Sequence, residues 1–345
     1  MDDGRLRPLL RPLTRSLRAA SDRWDAVGIR SAASRWLASH GEWQIDAVTR
    51  SRSGTRIARI RSADGTRAIL KIADSAHGAR SLDREGRSLT KLAAEPRLAM
   101  LLALIPGVLA AGTDGRWSYL VQRALPGTPA TPSLHHARTI LADVSTLATS
   151  WHAATARQCV ASEAELDEWV ERPIIAMRDL VGVSQHAPVG ATLARVGDEL
   201  RSVLRGATTT LGWIHGDLWT DNILVRSDGA EITGIVDWDS ASELGLALHD
   251  QLHLILYARK LTARSEIGDE VCRALGPEPD WDAVERPGLT AAIATMPGSD
   301  EPAQRRVGVL LYWLRLVAMN LARQPRATRD RRWLNKNVRE VLECL

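Results

Sequence analysis

The stretch HGDLWTDNIL, residues 215–224, decides how this chain is read. Asp217 follows a glycine, and Asn222 comes five residues later. A short apolar run, ITGIV, then leads into IVDWD at 235–239, which carries Asp237. Short apolar runs broken by Gly, Asp and Asn read as small strands joined by turns. The polar residues then sit at the turns, where they can converge. A lone His-x-Asp is weak evidence, but the ordered set of HGDxxxxN, apolar run and DWD is specific.

A carboxylate, an amide and a second carboxylate in this order suit one chemistry, Mg²⁺-assisted phosphoryl transfer. Asp217 is the candidate catalytic residue, orienting an attacking hydroxyl and accepting its proton. Asn222 offers an uncharged oxygen to Mg²⁺, and Asp237 a hard anionic ligand bridging metal and phosphates. Asp221 and Asp239 are alternative ligands, but the spacing favours Asn222 and Asp237. The competing view, a set of turn-capping residues, suits any one of them better than all three. His215, just before Gly-Asp, fits a buried histidine that shapes the loop better than it fits a base.

Upstream, from Gly41, the texture is that of strands. EWQIDAVTR, TRIARIRS and RAILKIA are short, partly alternating segments separated by SRSGT and SADGT turns. ARSLDREGRSLTKLAAE at 79–95 reads as a helix, and PGVLAAGTDGRWSYLVQRALPG as two further strands. Lys71 lies inside the apolar strand AILKIA, where a buried ammonium needs partners. Glu85 on the following helix is the best carboxylate candidate, and a phosphate would be the second partner. SRSGT offers Ser51, Ser53 and the backbone at Gly54 to phosphate oxygens, although such a motif is usually only a hairpin turn. No Walker A pattern occurs, which excludes a P-loop NTPase.

Beyond LPG at 125–127 the chain is mostly helical, from HARTILADVSTLATSWHAATA to WLNKNVREVLECL, with PGSDEP at 297–302 as a loop. Residues 1–40 read as a helical extension that packs on the body or contacts a partner, with prolines interrupting its first turns. Three segments result: an extension at 1–40, a nucleotide-binding lobe at 41–125 and a catalytic lobe at 126–345. The fold class is α+β, with a small antiparallel sheet carrying one helix followed by a larger, mostly helical part.

Composition narrows the partners. The net charge is +4, but basic residues are dispersed and no basic stripe is interleaved with aromatics, so nucleic acid is not expected. No apolar run reaches the length of a membrane span, and the Arg-rich start lacks the apolar centre of a secretory signal. Cys159, Cys272 and Cys344 are odd in number and far apart, which suggests neither a zinc site nor a disulfide framework. A cytoplasmic location is the expectation.

With these residues in place, the chain resembles the aminoglycoside phosphotransferase and choline kinase superfamily, whose fold is protein-kinase-like. HGDLWTDNILV and IVDWDSA are similar to its catalytic and metal segments, and AILKIA with DREGRSLTKL to its Lys strand and Glu helix. The resemblance implies Asp217 as base, Asn222 and Asp237 as Mg²⁺ ligands, and Lys71 on phosphate, paired with Glu85. LVQRALPGTP looks like the family's hinge, so backbone at Gln122 and Ala124 would meet the base of ATP or GTP. LATSWH is similar to a family helix that here ends in His152. One departure is LGLALHDQL, which lacks the usual Asp-Pro, yet Asp250 stands where an aspartate would brace the catalytic loop.

The loop reads HGD, not HRD, and only twelve residues separate Asp237 from Asp250. That leaves no room for the activation segment that supports peptides in protein kinases. A small hydroxylated acceptor is expected: an antibiotic, a sugar or an amino alcohol. A Ser/Thr kinase of peptide natural-product precursors is the alternative, and a non-catalytic nucleotide-binding scaffold the second. The acidic ASEAELDEWVERP at 161–173, with Trp169, could attract a cationic acceptor or be a solvated helix face. The Arg-rich tail argues for a neutral or anionic one.

Overall fold

The computed structural model describes residues 33–50, 55–131, 137–180, 187–226, 229, 231–323 and 330–345. The described residues form two compact units, one within 1–90 and 106–124, the other within 91–105 and 125–345. Residues 91–105 thus group with the second unit although they lie inside the 41–125 segment.

The first unit is built on a five-stranded antiparallel sheet in the order β1-β2-β3-β5-β4. Its strands are β1 (Trp43–Arg50), β2 (Arg56–Ser62), β3 (Arg67–Ala73), β4 (Val108–Asp114) and β5 (Trp117–Arg123). The central strand β3 is buried along most of its length because both faces are covered. Side chains alternate across the sheet. Ala68, Leu70 and Ile72 enter a core with Ala58, Ile60, Trp117 and Val121. Ala73 packs on the opposite side with Leu82 and Leu120. Leu82 belongs to helix α1 (Ala76–Ala94). Residues 33–39 are helical, and Ala33, Trp36 and Leu37 complete the first core. The end of the expected extension is therefore part of this core, while residues 1–32 lie outside the described residues.

The second unit is mainly helical. Helix α2 (Ala137–Thr155) is accompanied by two three-stranded sheets. One orders β10 (Ile232–Ile235), β9 (Ile223–Val225) and β6 (Thr128–Pro129). The other orders β11 (Ser242–Leu246), β8 (Thr208–Ile214) and β7 (Arg157–Val160). Helix α3 (Ala247–Ala263) is buried on nearly every face from Leu248 to Ala258, as expected for an apolar helix inside a large core. Helix α4 (Glu301–Arg323) is likewise buried through its middle. It takes over the end of the expected PGSDEP loop: Asp300 caps it by accepting from Ala303 N at 2.9 Å, and Pro302 falls in the first turn, where no N–H is needed.

The C-terminal helical stretch is broken by a π turn at Asn335–Arg339. The turn exposes the Asn337 carbonyl to Trp313 Nε1 at 2.8 Å, and Asn337 Oδ1 accepts from Gly268 N at 2.9 Å. This packing brings the chain end against the helix Ile267–Leu275 and pairs Cys272 with Cys344 in a disulfide. The expectation of no disulfide is corrected. Residues 72 apart in sequence meet through tertiary packing, which spacing does not reveal. The cysteine count therefore no longer argues for the cytoplasm. Among the described residues, no helix is long and apolar enough to cross a membrane.

Candidate active site

In the first unit, Lys71 shares the face of the sheet that holds Leu120 and Ala73, because Lys71 is registered opposite Leu120. Glu85 lies three residues after Leu82 on α1, on the same helix face. The two side chains meet: Lys71 Nζ donates to both Glu85 oxygens at 2.7 and 2.8 Å. Gln122, two residues beyond Leu120, points the same way, and its Nε2 donates to Glu85 Oε1 at 2.9 Å. Glu85 is fully enclosed.

The Gln122 side chain is committed to Glu85, and the Ala124 N–H donates to Arg67 O at 3.0 Å. Ser51 and Gly54 lie outside the described residues.

In the second unit, β8 ends at Ile214 and delivers the catalytic loop. Gly216 has φ +79°, the left-handed region that suits glycine. A Cβ there would also collide with the Ser240 carbonyl and approach Arg315. Asp250, in the first turn of α3, braces this loop: its oxygens accept from His215 N and Gly216 N, each at 2.7 Å. His152 Nε2 lies 3.1 Å from Asp250 Oδ2. Burial alone would raise the Asp250 pKa, but His152, His215 and the loop N–H groups outweigh it and hold the carboxyl below its usual range.

His215 is fully buried. Its Nδ1 accepts from Asp217 N at 3.2 Å, so Nε2 carries the proton and donates to Val236 O at 2.9 Å. The ring ties the catalytic loop to the strand entering DWD. It is a spacer between the two loops, with both nitrogens engaged.

Asn222 Nδ2 donates to Asp217 O at 2.8 Å, which turns the amide oxygen to the other side. Val236 N donates to Asn222 O at 2.9 Å, joining the segment before Asp237 to Asn222. Asp237 adopts a left-handed backbone (φ 70°, ψ 54°), one that Asp and Asn tolerate better than most residues, and it is exposed. Asp217, Asn222 and the segment entering Asp237 are thus tied together by hydrogen bonds. Their donor set, one amide oxygen and one carboxylate, fits Mg²⁺ completed by phosphate oxygens and water. Among the described residues no group of three or more His, Cys, Asp or Glu could hold a metal by itself.

Two neighbours of Asp217 escaped the sequence reading. His253 Nε2 lies 3.0 Å from Asp217 Oδ1, and Arg323 Nη1 lies 3.5 Å from Oδ2. Burial raises the Asp217 pKa, but His253, then Arg323 and His215, overcome it and set the carboxyl at about 2. His253 had a signal, since it sits three residues after Asp250 on one helix face. Arg323, the last residue of α4, had none. Arg315, half-buried in α4, also escaped that reading: it donates to Gly216 O at 2.9 Å.

The acidic stretch at 161–173 is largely spent on ion pairs: Asp167 with Arg172, Glu163 with Arg205 and Glu171 with Arg201. Trp169 packs partly against the core. It is a paired helix face.

A family model for the APH phosphotransferase enzyme family matches residues 47–286. A search of curated protein sequences finds no match. Among solved structures, a ternary complex of an aminoglycoside phosphotransferase, APH(4)-Ia, with ADP and hygromycin B is 16% identical with a TM-score of 0.52. That alignment covers 87% of this chain and 95% of that one. The macrolide 2′-phosphotransferase MphH from Brachybacterium faecium is 18% identical, with a TM-score of 0.52, covering 89% of this chain and 98% of that one. At such identities these structures establish the fold, which is that of the protein-kinase-like phosphotransferases. With the family model spanning well over half of the sequence, the chain belongs to the APH phosphotransferase enzyme family.

Proposed function

We propose that this protein transfers the γ-phosphate of ATP, with Mg²⁺, to a hydroxyl group of a small molecule. One observation carries the reading: Asp217, Asn222 and the segment entering Asp237 are tied together on a loop anchored by Asp250. Phosphoryl transfer demands positioning and charge compensation more than covalent chemistry. Lys71, held ready by Glu85, places an ammonium on a phosphate oxygen. Asn222 Oδ1 and the Asp237 carboxylate would hold Mg²⁺, which would supply charge neutralisation on the phosphates. Asp217 aligns the acceptor hydroxyl. With its pKa near 2 it is always ionised near neutrality, and its main service is orientation.

The segment after Asp237 favours a small acceptor over a peptide. It runs directly through a 3₁₀ turn at Trp238–Ser240 and β11 into α3. No segment remains there to seat a polypeptide. The relatives include enzymes named for aminoglycosides and for macrolides, so a hydroxylated antibiotic or sugar is the acceptor class proposed. The test is transfer of label from γ-labelled ATP to a panel of hydroxylated antibiotics, sugars and peptides, with and without Mg²⁺. Metal-dependent labelling of a small molecule is expected. Labelling of peptides alone would overturn the acceptor class, and no metal-dependent turnover would overturn the function.

A further inference from the structure

Both oxygens of the Asp217 carboxylate face a nitrogen-bearing side chain, but the two are held differently. His253, on Oδ1, is almost fully enclosed, and its Nδ1 pairs with the buried Tyr312 hydroxyl at 3.2 Å. That side is closed. Arg323, on Oδ2, is the terminal residue of α4 and keeps about a quarter of its side chain exposed (27%). It also donates to Asp239 Oδ1 at 2.9 Å and to Ser240 Oγ. Among the described residues, the Oδ2 side, beside the Arg323 guanidinium, is the more open approach for an acceptor hydroxyl.

We propose that Arg323 determines acceptor specificity, selecting a hydroxyl flanked by an oxygen acceptor or a carboxylate over one flanked by an ammonium. The inference rests on the phosphotransferase reading above and names the substrate class of the same site. A guanidinium has donors only, so a neighbouring carbonyl, hydroxyl or carboxylate oxygen satisfies it. An ammonium there meets the like charge of the guanidinium, which already stands against Asp217 and Asp239. Asp239 and Ser240 give the guanidinium a second resting place when Asp217 turns to the acceptor.

The experiment compares labelled phosphate transfer to glucose, glucosamine, glucuronate and hygromycin B in wild type, Arg323→Lys, Arg323→Gln and Arg323→Glu, with nucleotide affinity measured on each. The wild type should favour glucose or glucuronate over the two amines by about tenfold or more in kcat/KM, the scale of one charge-assisted hydrogen bond. Arg323→Lys should keep that order, Arg323→Gln should flatten it, and Arg323→Glu should turn it toward the amines. A merely structural Arg323 would lower every acceptor equally and leave the ratios alone. Preference of the wild type for the amines, or ratios unmoved in Arg323→Gln, overturns the inference while the transfer itself upholds the phosphotransferase reading. Mg²⁺-dependent ATP hydrolysis with none of the four labelled also overturns the acceptor class alone. Absence of any nucleotide turnover removes both.

Discussion

Lys71 and Asp217 are both charged groups drawn largely out of water, and they are held in contrasting ways. Lys71 meets the Glu85 carboxylate, from the helix that follows its strand, and Gln122 from the next strand donates to the same carboxylate. All three belong to one small unit. Asp217 sits in a network assembled from distant places: His253 on α3, Arg323 at the end of α4, Asp250 and Arg315 beneath the loop backbone. The first arrangement is a preset pair whose enclosure makes it a matter of stability. The second leaves its functional oxygens partly open and fixes their position through several elements. Disturbing the pair should therefore unsettle folding, and disturbing the network should mostly change chemistry.

The sharpest way to break that contrast is Lys71→Ala. It takes the ammonium away from an enclosed Glu85 carboxylate, and losing one member of a buried pair costs about 3–5 kcal/mol. The double variant Lys71→Met/Glu85→Leu should recover most of that in urea melts while remaining inactive. A Lys71→Ala protein as stable as wild type would show that the pair is not structural.

Acid titration probes the network. Asp217, at about 2, and Asp250, also lowered, stabilise the fold when ionised. That contribution is full above the unfolded carboxylate value near 4 and is lost as pH falls toward 2. Wild type should therefore lose roughly 2 kcal/mol more than Asp217→Asn between pH 5 and pH 2. Parallel melting curves would mean that His253 and Arg323 do not hold the carboxylate.

The smallest expected effect on folding is at Asp237. Asp237→Ala must place alanine in a left-handed conformation, costing roughly 1 kcal/mol, whereas Asp237→Asn should be nearly neutral. Both should lose the Mg²⁺-dependent part of nucleotide affinity. Calorimetric titration of ATP with and without Mg²⁺ checks this, and retained Mg²⁺ dependence in both variants would remove Asp237 from the metal site.

The same contrast sets what the sequence could reveal. The Lys71–Glu85 contact was legible because strand alternation and helix periodicity fix which side chains share a face. The link between Gln122 and Glu85 followed from that alternation too. Asp250 was legible through the family resemblance, which places a bracing aspartate after DWD. His253 was within reach at three residues further along the same helix. Arg323 and the Cys272–Cys344 pair were not, because each depends on how the end of one helix lands on another, and no local period encodes that. The π turn at Asn335–Arg339 broke an otherwise continuous helical pattern for the same reason, since Asn337 serves Trp313 and Gly268.

The most direct test of the central claim is a single-turnover measurement on Asp217→Asn, with nucleotide affinity determined on the same preparation. The substitution keeps shape and removes the charge that orients the acceptor hydroxyl. Mg²⁺-ATP binding should stay within about twofold of wild type, while phosphate transfer falls by at least roughly a hundredfold, the scale of a positioned catalytic group. Transfer at the wild-type rate would contradict the account and take Asp217 out of the mechanism.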